Sequence, residues 1–379
     1  MKKQFIYYHD IDVKVEYSYF TSETGKNEAH VILHVASKGD LFEKQLCRLE
    51  EGTERFLREL GNEMNIAMKR YFVSDSANQA SKIKNFNSYD TSIIQQPPLD
   101  GSKVGLWIYL IKGAHVKVEE KTNCVFLSNY TLFFDLGMQN NSGSSEEQTK
   151  ALLEEYEDRL AKRGATLANN CLRTWFYVRD VDTQYQGMVK ARRENFVNEG
   201  LTETTHYLAS TGIQGLPSDT KAILQLGAIA MLGLEENQQK YLYAPTHLNP
   251  TYEYGVTFER GTAVYFKDRT HAYISGTASI NNKGEVVHVG DIVGQTKRMV
   301  ENVEELLKEA DMKLDDIAQA IVYLRDLCDY EIVKPMITSL LGNTPLIFTL
   351  APVCRPEWLI EMECIGIKKS FTEEFKNFN

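Results

Sequence analysis

Apolar residues at Val300, Val303, Leu306 and Leu307 recur at i, i+3 and i+4 spacing and predict an amphipathic helix after Asp291. Upstream, the aromatic and β-branched runs 263–266 and 272–276 predict two strands around a polar turn. Asn281-Asn282-Lys283-Gly284 is a turn signal, and a short strand is expected over 285–289. Residues 359–367 alternate in type and read as a closing strand. The same order precedes it twice. Strands at 123–127 and 131–134, a helix around Leu152-Leu153 and a closing strand over 221–229 form one copy. A strand at 29–35, a helix around Leu49 and Phe56-Leu57 and a strand at 104–111 form the other. The polar stretches 139–145 and 237–250 read as connections.

Each copy opens on a Gln and ends in an aromatic strand that closes on Asp. The pairs are Gln45 and Asp75, Gln148 and Asp180, Gln295 and Asp326, with Gly61, Gly164 or Ala310 after each helix. Copies lie over a hundred residues apart, which implies a domain-sized duplication rather than a solenoid. Units of 1–112, 113–235 and 236–379 are expected, with strands outnumbering helices in each. That order implies α+β layers, a mixed sheet packed on helices.

The chain has 379 residues, 43% hydrophobic and 25% charged, as for a globular protein. Its net charge of −10 argues against a phosphate-tracking surface, so no nucleic-acid partner is expected. Six scattered Cys without a CxxC pair read as reduced core thiols. The N-terminal lysines precede no apolar signal-peptide segment, and no run is long enough to span a membrane. A cytoplasmic location is expected.

Ile274-Ser275-Gly276, Gly284-Glu285-Val286-Val287, Gly290-Asp291-Ile292, Gln295-Thr296, Asn302, Leu314-Asp315-Asp316-Ile317 and Tyr323-Leu324-Arg325-Asp326 together resemble the Rid/YjgF superfamily. The strand Ile360-Glu361-Met362-Glu363-Cys364-Ile365 is similar to that family's last one. Further pieces resemble its chorismatase branch: Gln96-Pro97-Pro98-Leu99, Arg173-Thr174-Trp175-Phe176-Tyr177, Arg192-Arg193-Glu194-Asn195-Phe196 and Ser210-Thr211-Gly212-Ile213. Phe258-Glu259-Arg260-Gly261-Thr262-Ala263, Ser275-Gly276-Thr277-Ala278-Ser279-Ile280 and Val353-Cys354-Arg355-Pro356-Glu357 continue it. The resemblance implies repeated Rid/YjgF-like (chorismate-mutase-like) units. Rid proteins form trimers, so an internal pseudo-trimer or a homotrimer is expected.

Comparing the closing strands singles out one copy. Only the third carries carboxylates, Glu361 and Glu363, where the middle copy has Gln225-Leu226-Gly227 and the first Gly105–Ile108. A period of two puts both acids on one face, roughly 6.5–7 Å apart at Cα. A carboxyl in a partly apolar cleft resists ionisation, which suits it to donate a proton near neutrality. The alternative is two solvent-facing acids, or a pair with Arg355. Glu361 is the candidate catalytic acid and Glu363 a supporting charge.

Arg260 and Arg355 are candidate carboxylate anchors, since a guanidinium fork binds a carboxylate bidentately. Cys354, Ala278, Gly276 and Tyr254 are expected to line the pocket, with Tyr252 beside them. His spacing suggests no metal site, and no glycine-rich phosphate or dinucleotide loop is present, so no cofactor is implied.

The resemblance implies a hydrolase or lyase that releases pyruvate from an enolpyruvyl ether of a cyclic carboxylic acid. Ala278 resembles the branch that yields a dihydroxycyclohexadiene acid, and Cys354 the branch that yields 3-hydroxybenzoate. A Rid-type enamine or imine deaminase is the alternative, although apolar Leu346–Phe348 and Lys334 stand where that group has its Arg and Asn. A non-catalytic ligand-binding protein is the third reading.

Overall fold

The computed structural model describes every residue except Asn62 and 85–87, and the backbone alone of Tyr254. Three six-stranded sheets follow one another, built from strands within 2–112, 115–232 and 239–369. In each, the closing strand (Val104–Lys112, Leu224–Leu232 or Ile360–Lys369) lies antiparallel between two neighbours. The edge strand beyond them (Thr91–Gln95, Ala209–Gln214 or Leu346–Leu350) is parallel to its partner and needs a crossover. Val181–Asn198 and Tyr330–Leu341 are the crossover helices of the second and third units.

The helices Phe42–Leu60, Ser145–Ala161 and Ile292–Glu309 cover one face of their sheets. The other faces turn towards each other around a pseudo-threefold axis. One core cluster joins Phe72 and Trp107, Trp175 and Tyr177, and Ile321 and Tyr323 from the three units. Strands buried on both faces read as nearly continuous apolar runs, and Ile317–Leu324, apolar except at Gln319, is buried along its whole length.

The repeated Gln does the same work three times. Gln45 Nε2 donates to the carbonyls of Ser37, Lys38 and Asp40, and its Oε1 accepts from Lys103 N at 2.7 Å. Gln148 links Gly143 O to Ile223 N, and Gln295 links His288 O and Glu357 O to Leu359 N. Each side chain thus ties the turn before its helix to the start of the closing strand. The repeated Asp caps the next turn at Asp75 and Asp326. In the third copy the left-handed residue after the helix is Asp311, not Ala310.

The units close into a ring through edge contacts. Gln225 Nε2 donates to Ser92 Oγ between the first and second units. Gly276 N donates to Thr211 Oγ1 and Ser210 N to Ser275 Oγ between the second and third. Leu346 N donates to Glu16 Oε2, and Leu99 N to Phe348 O, between the third and first. Three equivalent clefts result.

Several expectations fail locally. Residues 285–289 form no strand: Asn281 Oδ1 accepts from Lys283 N and Glu285 N, His288 adopts positive φ, and pairing shrinks to an Ile280–Val286 bridge. The connection at 237–250 contains the edge strand Gln239–Leu242, whose polar residues reflect burial on one face only. The strand Thr131–Asn140 likewise runs into the expected connection at 139–145. The strand expected over 272–276 runs longer, from Arg269 to Ala278, with a bulge between Ile274 and Thr277. Cys47 and Cys328 are exposed, because each lies on the solvent side of a helix or helical turn, so not every thiol is in the core.

Gln148→Leu should lower stability by about 2 kcal/mol, because it leaves Ile223 N–H and Gly143 C=O without their partner. A reduced urea midpoint at unchanged slope is the expected reading.

Candidate active site

Strand register fixes which positions correspond. Glu361 pairs with Tyr323, Gln225 with Tyr177 and Gly105 with Phe72; Glu363, Gly227 and Trp107 pair with Ile321, Trp175 and Arg70. Only the third unit has an acid at this position of its closing strand. Glu361 is 5% exposed, on the wall between the second and third units. Burial pushes its carboxyl up to about 8, and the neighbouring Glu363 adds to this; Arg173 and Arg260 pull the other way.

Glu363 faces the axis instead. It accepts from Arg173 Nη2 at 2.9 Å and from Trp175 Nε1 at 2.7 Å, both from the second unit. Two acids two residues apart therefore have different surroundings. One is tied into a buried ion pair, and the other is left in the cleft.

The structure brings Arg260, Arg355, Cys354, Ala278 and Gly276 to the same cleft as Glu361. Arg260 is buried, its Nη2 donating to the carbonyl and side-chain oxygens of Asn249 at 3.0 and 3.2 Å. Arg355 stacks on Trp358, 4.7 Å from the ring centroid. Burial, with Glu361 adding to it, pushes the Cys354 thiol up to about 12, which keeps it protonated and poorly nucleophilic near neutrality. A Cβ on residue 276 would overlap Glu361 Oε1 and stand 2.8 Å from its carboxyl carbon, so glycine there makes room for the acid. The side chain of Tyr254 lies outside the described residues, and Tyr252 faces a neighbouring cavity rather than this one.

Sequence reading passed over half of the wall. Tyr185, Arg192 and Thr211 reach it from the second unit. Arg192 is buried over Phe176, and Thr211 Oγ1 accepts from both Arg173 Nη2 and Gly276 N. Arg173 and Arg192 sit in motif segments, but Glu363, which Arg173 meets, belongs to the third unit. Lys334 and Leu346–Phe348 line a different cleft, the one shared with the first unit. Among the described residues no group of three His, Cys, Asp or Glu is placed to hold a metal ion, and no helix is long and apolar enough to cross a membrane.

Two outcomes follow from the buried acids. Glu363→Gln should cost about 3 kcal/mol by leaving Arg173 buried without its counter-charge, and should lower the Glu361 pKa. Carboxyl-carbon NMR with thermal melting reads both. Folding raises the Glu361 pKa from 4.5 to about 8, so the unfolded chain releases a proton that the folded chain keeps. That opposes folding increasingly through this window as pH rises, and not below it. Glu361→Gln should therefore gain stability over the parent as pH rises from 4.5 to about 8, by up to about 5 kcal/mol.

The model of the family described as Endoribonuclease L-PSP matches residues 262–368. A RutC family protein of Pyrococcus abyssi is 35% identical over 100 residues, 26% of this chain and 78% of that protein. The 3-aminoacrylate deaminase RutC of Acinetobacter baylyi is 36% identical over 58 residues, 15% of this chain and 46% of that protein. The solved structure of a chorismatase superposes with a TM-score of 0.65 over 81% of this chain and 94% of its own, at 17% identity. That likeness is one of fold and covers most of the chain, whereas the family model matches within the third unit. The chain belongs to the Rid/YjgF (RutC) family, with three Rid-like units joined in a chorismatase-like fold.

Proposed function

We propose that this cleft hydrolyses an enolpyruvyl ether carried by a cyclic carboxylic acid of the chorismate type, releasing pyruvate. The observation that carries the reading is Glu361, a buried carboxyl held protonated near neutrality on the wall that Arg260 and Arg355 share. Its proton passes to the terminal methylene carbon, whose π pair forms the new C–H bond. Positive charge develops on the ether-bearing carbon and its oxygen. Water adds there and returns a proton to the Glu361 carboxylate. The hemiketal then breaks its C–O bond to the ring, giving pyruvate and the ring alcohol. Arg260 and Arg355 hold the substrate carboxylates, and the tight wall of Gly276, Ala278 and Cys354 limits stray water.

The deaminase named among the relatives supports a second reading, hydrolysis of an enamine to a 2-oxo acid and ammonia. Both reactions begin by protonating an electron-rich methylene carbon, so one acid serves either. The apolar Leu346–Phe348, in the cleft between the third and first units, gives an enamine carboxylate no guanidinium there.

Purified protein mixed with chorismate should release pyruvate, and Glu361→Gln should slow it by about a thousandfold. Activity should fall with rising pH through about 8, where Glu361 loses its proton. No pyruvate, or equal release by the variant, sinks the first reading; ammonia from 2-aminoacrylate supports the second.

A further inference from the structure

The cleft between the third and first units is the counterpart of the Glu361 cleft, strand for strand, and it is chemically different. It encloses a cavity of about 510 Å³, a size typical of small-molecule sites. The position of Glu361 is taken by Gly105, and a Cβ there would stand 2.7 Å from Ile347 Cδ1. That position of the strand therefore brings no acid into the cleft. On the next strand, His34 pairs in register with Gly105 as Ala278 does with Glu361.

The charges on this wall divide into spent and unspent. Glu16 bonds Lys14 Nζ at 2.6 Å and Leu346 N at 3.0 Å. Asp100 accepts from Ser102 N at 2.9 Å and lies 3.3 Å from His34 Nδ1. His34 lies between the two acids; burial disfavours its charge, but Asp100 and Glu16 outweigh this and lift it to about 9. Both carboxylates are thus neutralised within the wall by Lys14 and His34. Lys38 and Lys334 also line the cavity, both exposed, and among the described residues neither has a carboxylate within ion-pair distance. The excess is two positive charges. Beside them the wall is aromatic: Tyr330 packs edge-on against Phe348 at 5.6 Å, and Phe5 is 57% exposed at the rim.

We propose that the cleft between the third and first units is a second ligand site, which binds a small aromatic or unsaturated cyclic carboxylate and does not convert it. Lys38 and Lys334, the latter 5.1 Å from the Tyr330 ring centroid, attract the carboxylate, and the aromatic wall packs against the ring. The missing acid makes it a binding site rather than a reaction site. Its occupant bridges two units and should stabilise the ring.

Benzoate is the probe, titrated into the full chain by calorimetry at low salt. One site should keep its affinity in Arg355→Ala, which alters the Glu361 cleft. The same site should weaken at least tenfold in Lys38→Glu/Lys334→Glu, two exposed positions whose reversal leaves the circular dichroism spectrum unchanged. Gly342 and Asn343 also line this cavity, so their amide NMR signals should shift with benzoate in the parent and not in the double variant. The proposal is overturned by the absence of benzoate binding, by its complete loss in Arg355→Ala, or by equal affinity in the lysine double variant.

Discussion

The buried contact of Glu363 with Arg173 and Trp175 governs the arrangement of this molecule. Arg173 and Glu363 are 2% and 3% exposed, and they come from different units. A buried ion pair repays its desolvation only when geometry and further hydrogen bonds are good. Here Glu363 uses one oxygen for Arg173 and the other for the indole N–H. The pair therefore does little for net stability and much for register: a slip of one residue would strand both charges. Because it fixes the second unit against the third, it also fixes the cleft that Glu361 enters.

Around the axis the three copies are packed by complementary departures from symmetry. At the position of Glu363 the first unit has Trp107 and the second Gly227. The space left by Gly227 receives Arg70, whose guanidinium lies 4.3 Å from the Trp175 centroid and 5.1 Å from that of Trp107. Three identical side chains could not fill that space. Three acids would repel, three glycines would leave a void, and three indoles would collide. Divergence of the copies is thus a packing requirement before it is a functional one. Among the described residues Arg70 finds no hydrogen-bond acceptor, so the ring faces carry its compensation.

Much of this was legible in the sequence because its causes are local. The Gln at each helix start recurs because one amide serves a turn and a strand at once, and such a bond needs the same spacing each time. The two-residue alternation of Glu361 and Glu363 was likewise enough to put them on one face. What escaped is what ring closure creates. Arg173, Arg192 and Thr211 belong to another unit, and no periodicity says which edges will meet. The shared face of the two acids did not reveal that one would be paired and the other left in a cleft. The strand expected at 285–289 failed for a subtler reason: its apolar residues are real, but the side chain of Asn281 captures the backbone that pairing would need.

The same charges that hold the axis together tune the acid beside it. With Glu361 protonated, Arg173 faces a single carboxylate, Glu363. Releasing the proton adds a second carboxylate within reach of Arg173 and Arg260. Burial and Glu363 oppose that ionisation while Arg173 and Arg260 favour it, and the outcome stands at about 8 rather than far above the physiological range. A carboxyl in an apolar pocket without these cations would hold its proton too tightly to transfer it to carbon. One fully paired like Glu363 would have no proton to give. On the proposed reaction, Glu361 works because it is the member of the pair that the second unit leaves unbound, close enough to Arg173 for its conjugate base to be tolerated.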